Sequence, residues 1–120
     1  MMELKKTSIV LRKTIRELEK ASKIHDAPIW ARIAEELAKP TRRRRAVNLS
    51  RLNRYTVEGD VVVVPGKVLG SGRIDHKITV AAYSFSKTAY EQLLKAGCRV
   101  LSLTELVREN PKGSNVKIIG

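Results

Sequence analysis

Leu4, Ser8, Leu11, Ile15, Leu18 and Ser22 recur at spacings of four and three, which predicts one stripe of an amphipathic helix. Around that stripe stand Lys5, Lys6, Arg12, Lys13, Arg16 and Lys20, so the outer face of the helix is strongly basic. A helix lying on a lipid surface would also be basic and amphipathic, but it would carry Trp or Phe toward the acyl chains. This stripe has neither and is diluted by two serines, so packing against the protein's own core is the expected role. Asp26 followed by Pro28 signals a second helix start, because the proline ring pre-sets the first turn and lacks an N–H that would be orphaned there anyway. Ile29, Ile33 and Leu37 then share a face with Trp30 and Ala34 beside it, and Pro40 ends the run. The two segments form a helical hairpin joined near His25.

Beyond the hairpin the pattern changes. Asn48 is placed to cap a short helix through Leu49, Leu52 and Tyr55. Gly59-Asp60 reads as a turn, Val61 to Val64 as a buried strand, and Pro65-Gly66 as the break after it. Ile78 to Phe85 is a second strand. Ser86 caps a helix from Lys87 to Ala96 that buries Ala89, Leu93 and Tyr90 before Gly97 stops it. Val100-Leu101 makes a short strand, and Ser102 to Glu105 has the spacing of a capping box. The helix it opens holds Leu103, Leu106 and Val107 and ends at Asn110-Pro111; Val116 to Ile119 is a last strand. Alternating strands and helices predict a compact layered α/β body, with strand order left open. The expected division is a basic helical hairpin and arginine-rich arm over residues 1–54 and the α/β body over 55–120, one structural unit overall.

Charge adds to this picture. The 120 residues carry 24 Lys and Arg against 12 Asp and Glu, a formal charge of +12, well beyond what a small domain needs for solubility. Such an excess repels itself unless a polyanion neutralises it, and nucleic acid is the commonest polyanion. Residues 1–54 hold 15 basic and 6 acidic side chains, and residues 55–120 hold 9 and 6, so the excess lies mainly in the N-terminal half. The 4% aromatic content points to a core of Leu, Ile, Val and Ala and disfavours aromatic base-stacking platforms. One cysteine, Cys98, and two scattered histidines, His25 and His76, give no disulfide and no zinc spacing. With no secretory leader or spanning segment in the pattern, a reducing cytoplasmic setting without a membrane is expected.

Catalytic constellations are not found. Pro65 to Gly72 is glycine-rich, but Arg73-Ile74 follow where a P-loop needs Lys and Ser or Thr, and a third glycine of the dinucleotide fingerprint is missing. Two readings of it stand open: a tight turn between two strands, or a place where small residues admit an RNA backbone, with Lys67, Arg73 and Lys77 around it. Asp75 beside His76 would point to the opposite face in a strand and so would not orient it, which leaves His76 a surface residue near a turn. Cys98 enters an apolar strand and reads as a small buried hydrophobe. No cofactor, metal ligand set or acid/base pair is expected.

The arginine tract is the strongest chemical signal. Thr41 to Arg54 contains Arg42, Arg43, Arg44, Arg45, Arg51 and Arg54, and no acid lies between Glu36 and Glu58. Four adjacent arginines cannot share one solvated face of a regular element, and a loop or extended arm laid along phosphates relieves their repulsion. Arginine binds phosphate bidentately and stacks on exposed bases, which suits RNA.

Leu37 to Pro40 and the Arg-rich run into Val47-Asn48-Leu49-Ser50-Arg51-Leu52, then Val63 to Gly72, Val80-Ala81-Ala82 with Phe85-Ser86, and Asn110 to Gly113 occur in one order across the whole chain. In these blocks the sequence resembles the archaeal and eukaryotic large-subunit ribosomal protein family numbered eighteen-e. The resemblance implies a structural constituent of the large ribosomal subunit that shares its layered α/β fold with the bacterial-type large-subunit protein numbered fifteen. Its implied partners are large-subunit ribosomal RNA and neighbouring ribosomal proteins, with the free protein a monomer. By the same analogy Arg42 to Arg45, Arg51, Arg54, Lys67, Gly70, Ser71, Gly72 and Arg73 lie on ribosomal RNA. Two positions depart from the family pattern: Cys98 follows Gly97 where a second glycine is common, and Asn115 stands where glycine is frequent. A DNA-binding regulator is the alternative that charge alone allows, but the hairpin carries its basic residues on the first helix rather than the second. An RNA-modifying enzyme would need a cofactor loop or an acid/base pair.

Overall fold

A computed structural model describes residues 2–39 and 45–120, with side chains over 9–39 and 46–120. The helical stripe becomes α1, Met2–Ile24. Pro28 opens α2, Pro28–Leu37, whose N-cap Ala27 makes no side-chain bond. Asp26 turns the chain between them at φ 50°, a left-handed conformation that Asp tolerates better than most residues. Leu18 and Ala21 of α1 are buried with Trp30, Ile33, Ala34 and Leu37 of α2.

Five strands form one sheet: β1 Arg45–Asn48, β2 Val61–Leu69, β3 Thr79–Phe85, β4 Arg99–Ser102 and β5 Val116–Ile118. The order is β1-β2-β3-β4, and every pairing is parallel. β1 and β5 share one edge of β2, with β5 beside Val61 to Val63 and β1 beside Gly66 to Leu69. Parallel neighbours need crossovers, and these are α3 Leu49–Tyr55, α4 Lys87–Lys95, α5 Leu103–Glu109 and the segment Gly70 to Ile78.

The sheet is covered on both faces. Val62, Val64, Val80 and Ala82 meet Leu49 and Leu52 of α3 and Ala89 and Leu93 of α4. Val63 and Ala81, one residue out of phase, meet α1, α2 and Leu103 and Leu106 of α5. That is why Val61 to Val64 runs without polar alternation: a parallel strand between two helical layers has no wet side.

Four expectations are corrected by these pairings. Pro65-Gly66 does not end the strand. β2 continues to Leu69, and a register irregularity between Val64 and Lys67 absorbs the residue that cannot donate to a ladder. Residues 45–48, expected to belong to an arm, pair as an edge strand because Val47 is buried beside Val68. Asn48 is the N-cap of α3 but makes no side-chain cap; the Ser50 N–H donates instead to Ser71 O at 3.2 Å. Tyr90 is 47% exposed rather than buried, since Ala89 and Leu93 take the inward face of a helix whose next position lies about 100° away.

Local signals elsewhere hold. Ser86 accepts from the Ala89 N–H at 3.1 Å, and Ser102 and Glu105 complete a reciprocal capping box. Cys98 is buried in the core. Asn115 has φ 59°, a left-handed conformation that asparagine, like glycine, enters at low cost. The Trp30 indole is fully buried and donates to Pro111 O at 2.7 Å. A side chain on Gly113, which has φ 66°, would collide with Ile29. Among the described residues no helix is long and apolar enough to cross a membrane.

Candidate nucleic-acid interface

The first turns of α3 and α4 follow directly on β1 and β3, and the glycine-rich segment leaves β2 between them. It is not a tight turn, because β2 and β3 are parallel and the chain must return along the sheet. Its glycines are demanded by the two helices. A Cβ on Gly70 would stand 2.7 Å from Thr88 Cβ, and one on Gly72, which has φ +85°, would stand 2.6 Å from Ser50 Cβ and 2.8 Å from Ser50 N. Gln92 Nε2 donates to Gly70 O at 3.3 Å, fixing the segment further. Ser71, Gly72 and Arg73 face solvent on this clamped backbone.

The other predicted cations spread around this end of the sheet and beyond it. Arg42, Arg43 and Arg44 lie outside the described residues; Arg45 contributes its backbone to β1 opposite Gly66. Arg51 and Arg54 project from the exposed side of α3, opposite the buried Leu49 and Leu52. Lys67 alternates with the buried Val68 on β2 and is exposed. Arg51, Arg54 and Lys67 join no ion pair among the described residues.

Lys77 is not brought to the glycine segment. It precedes β3 at the far end of the sheet, roughly 20 Å away at about 3.3 Å per strand residue. There its N–H donates to Glu58 Oε1 at 3.4 Å, and its side chain lies across Gly97.

His76 differs from expectation as well. Residues 73–78 are not a strand, so Asp75 can turn back, and its Oδ1 lies 2.9 Å from His76 Nδ1. His76 Nε2 lies 2.6 Å from Thr56 Oγ1, which donates to Leu52 O at 2.7 Å. Three residues in this order resemble a nucleophile triad, but Thr56 is 6% exposed and its proton is committed to a helix carbonyl. The chain of bonds ties the end of α3 to the segment leading into β3. Ser71 takes no part in it.

Three carboxylates are held below their ordinary range by hydrogen bonds. The Val57 N–H and then the Lys117 ammonium lower Asp60, the His76 ring lowers Asp75, and the Ser102 backbone N–H lowers Glu105. A lowered folded-state value gives stability that is fully present above the unfolded values of 3.8 for Asp and 4.5 for Glu. That stability is lost as pH falls through the folded values. Melting temperature is therefore expected to fall on acidification below about pH 4, and to fall less in an Asp60→Asn, Asp75→Asn, Glu105→Gln variant. Equal acid sensitivity in both proteins would contradict the assignment.

Two residues at the edge where α3 meets β5, away from the glycine segment, were missed by the sequence reading. Lys117 on β5 bonds Asp60 Oδ2 at 2.9 Å across 57 positions, and no local pattern announces such a pair. Tyr55, read only as part of the helical stripe, is 51% exposed with the Arg51 guanidinium carbon 5.1 Å from its ring centroid. Its spacing of four from Arg51 was the available signal.

The family model for ribosomal proteins 60S L18 and 50S L18e matches residues 5–120. Among similar proteins, a large ribosomal subunit protein eL18 of Methanothermobacter thermautotrophicus is 48% identical over 117 residues, covering 98% of this chain and 97% of the relative. The protein of the same name from Thermoplasma acidophilum is 46% identical over 114 residues, 95% of each chain. That from Sulfurisphaera tokodaii is 48% identical over 113 residues, 94% of this chain and 92% of the relative.

Proposed function

This chain belongs to the family of ribosomal proteins 60S L18 and 50S L18e, and from that membership we propose that it is a structural constituent of the large ribosomal subunit that binds folded ribosomal RNA. The observation that carries the reading is the match across residues 5–120 at nearly half identity to proteins named for that subunit. The physics supports it. A net charge of +12 calls for a polyanion, and α3, β2 and the segment after it carry Arg51, Arg54, Lys67 and Arg73 as exposed cations. The arginines Arg42 to Arg45 supply further phosphate contacts, and the Ser71-Gly72-Arg73 surface admits a backbone beside the first turns of α3 and α4. Such a protein works by replacing counterions along RNA and holding its shape, without turnover and without a cofactor. Its working location is the cytoplasmic large subunit, among neighbouring ribosomal proteins, with a monomer as the free form.

The test is sedimentation through a sucrose gradient together with binding to deproteinised large-subunit RNA and duplex DNA at matched salt. The protein should travel with the large subunit, prefer the ribosomal RNA, and lose affinity steeply as salt rises. Equal affinity for the duplex, with no migration on the subunit, would overturn the reading in favour of a DNA-binding protein.

A further inference from the structure

The edge where α3 meets β5 carries a cleft of about 450 Å³ lined by Arg51, Tyr55, Lys117, Ile118, Ile119 and Gly120. Small-molecule sites span about 300–1,000 Å³, so one nucleoside fits. Tyr55 is 51% and Ile118 38% exposed, which gives an aromatic wall and an aliphatic floor open to solvent. Among the described residues its lining carries no acidic side chain, and Asp60 stands behind Lys117 rather than in the cleft wall. The guanidinium of Arg51 lies over the Tyr55 ring at 5.1 Å, within cation–π reach. At the rim, Lys117 spends one of its three N–H donors on Asp60 at 2.9 Å, leaving two for an acceptor.

We propose that this cleft takes an unstacked nucleobase of ribosomal RNA, the base lying against Tyr55 and Ile118 while Arg51 and Lys117 meet the flanking phosphates. The inference rests on the RNA-binding reading and deepens it by adding a base-stacking position that the low aromatic content argued against. The lining favours this occupant. A base offers a flat π-face to Tyr55 and brings phosphates to the rim, where Arg51 joins no ion pair among the described residues and Lys117 keeps two donors beyond its bond to Asp60. An apolar peptide would fill the floor and leave Arg51 without a counter-charge. Stacking of a base on an aromatic side chain is tolerant of base identity, so the site would hold a position in the RNA without reading a sequence.

The experiment compares wild type, Tyr55→Phe and Tyr55→Ala on three probes: deproteinised large-subunit RNA, a single-stranded oligoadenylate, and the same backbone made abasic. Circular dichroism melting first establishes that the variants fold, as expected for a half-exposed side chain. Tyr55→Ala should lose about tenfold in affinity for the first two probes, the scale of one base–aromatic stack, with the salt slope unchanged because no phosphate contact is removed. Tyr55→Phe should stay within about twofold, since the stacking ring is kept. On the abasic backbone all three proteins should bind alike. Wild-type affinity in Tyr55→Ala, or an equal loss on the abasic probe, would overturn the cleft assignment while leaving RNA binding intact. Absence of wild-type binding to ribosomal RNA would overturn both.

Discussion

Replacing Arg42, Arg43, Arg44 and Arg45 together by Ala is expected to weaken binding to large-subunit RNA on the order of a hundredfold near physiological salt, with the fold unchanged. Each neutralised phosphate adds roughly 0.7–0.9 to the slope of log affinity against log salt. Losing four contacts should therefore flatten that slope by about three, and filter binding over a salt series reads both effects. The loss should be uniform across RNA sequences, because phosphate contacts position without specifying. The fold should survive because β1 is held by backbone pairing with Gly66 to Leu69 and by the buried Val47, neither of which needs the Arg45 side chain. Removing four mutually repelling cations costs the isolated protein nothing of comparable size. A cooperative loss of structure in the variant would instead make the tract architectural.

What was legible in the sequence was local. The Ser86 cap and the Ser102/Glu105 box are satisfied within four residues of themselves, and both formed as read. The valine run of β2 announced a buried strand because its neighbours on both faces are apolar helices. What was not legible depended on a distant partner. Val47 became strand because Val68 lies beside it, and Asn48 gave up its cap because Ser71 O was already within reach of the Ser50 N–H. Pro65 could stay inside a strand only because the pairing with β3 slips there.

The same distinction governs the candidate interface. The cations could be named from composition, and the resemblance implied RNA contact for them, but where each stands required the sheet. Lys77 looked close to Arg73 along the chain, yet the crossover carries it to the other end of the strands, beside Glu58 and Gly97. Conversely, Tyr55 and Lys117 are far apart in sequence and line one cleft. The glycines of residues 70 and 72 suited both a turn and a phosphate approach; only the positions of Thr88 and Ser50 reveal a packing requirement that either function would inherit.

Trp30→Ala is expected to be the most destabilising single substitution on the α1/α2 side of the sheet, at about 3–5 kcal/mol for a fully buried Trp. Trp30 is the largest of the fully buried side chains, and its indole joins α2 to the segment after α5 through the 2.7 Å bond to Pro111 O. Truncation would open a cavity beneath the hairpin and leave that carbonyl without its donor. Against a total stability of roughly 5–15 kcal/mol, the loss should lower the melting temperature by about 12–20 °C at roughly 4 °C per kcal/mol. Trp30→Phe separates the two contributions: it keeps most of the volume and gives up the hydrogen bond, so it should cost about 1–3 kcal/mol. Thermal melts of the three proteins by circular dichroism decide the matter. A Phe variant as stable as wild type would show that the indole bond contributes nothing. An Ala variant that melts within a few degrees of wild type would mean that the hairpin is not anchored through Trp30.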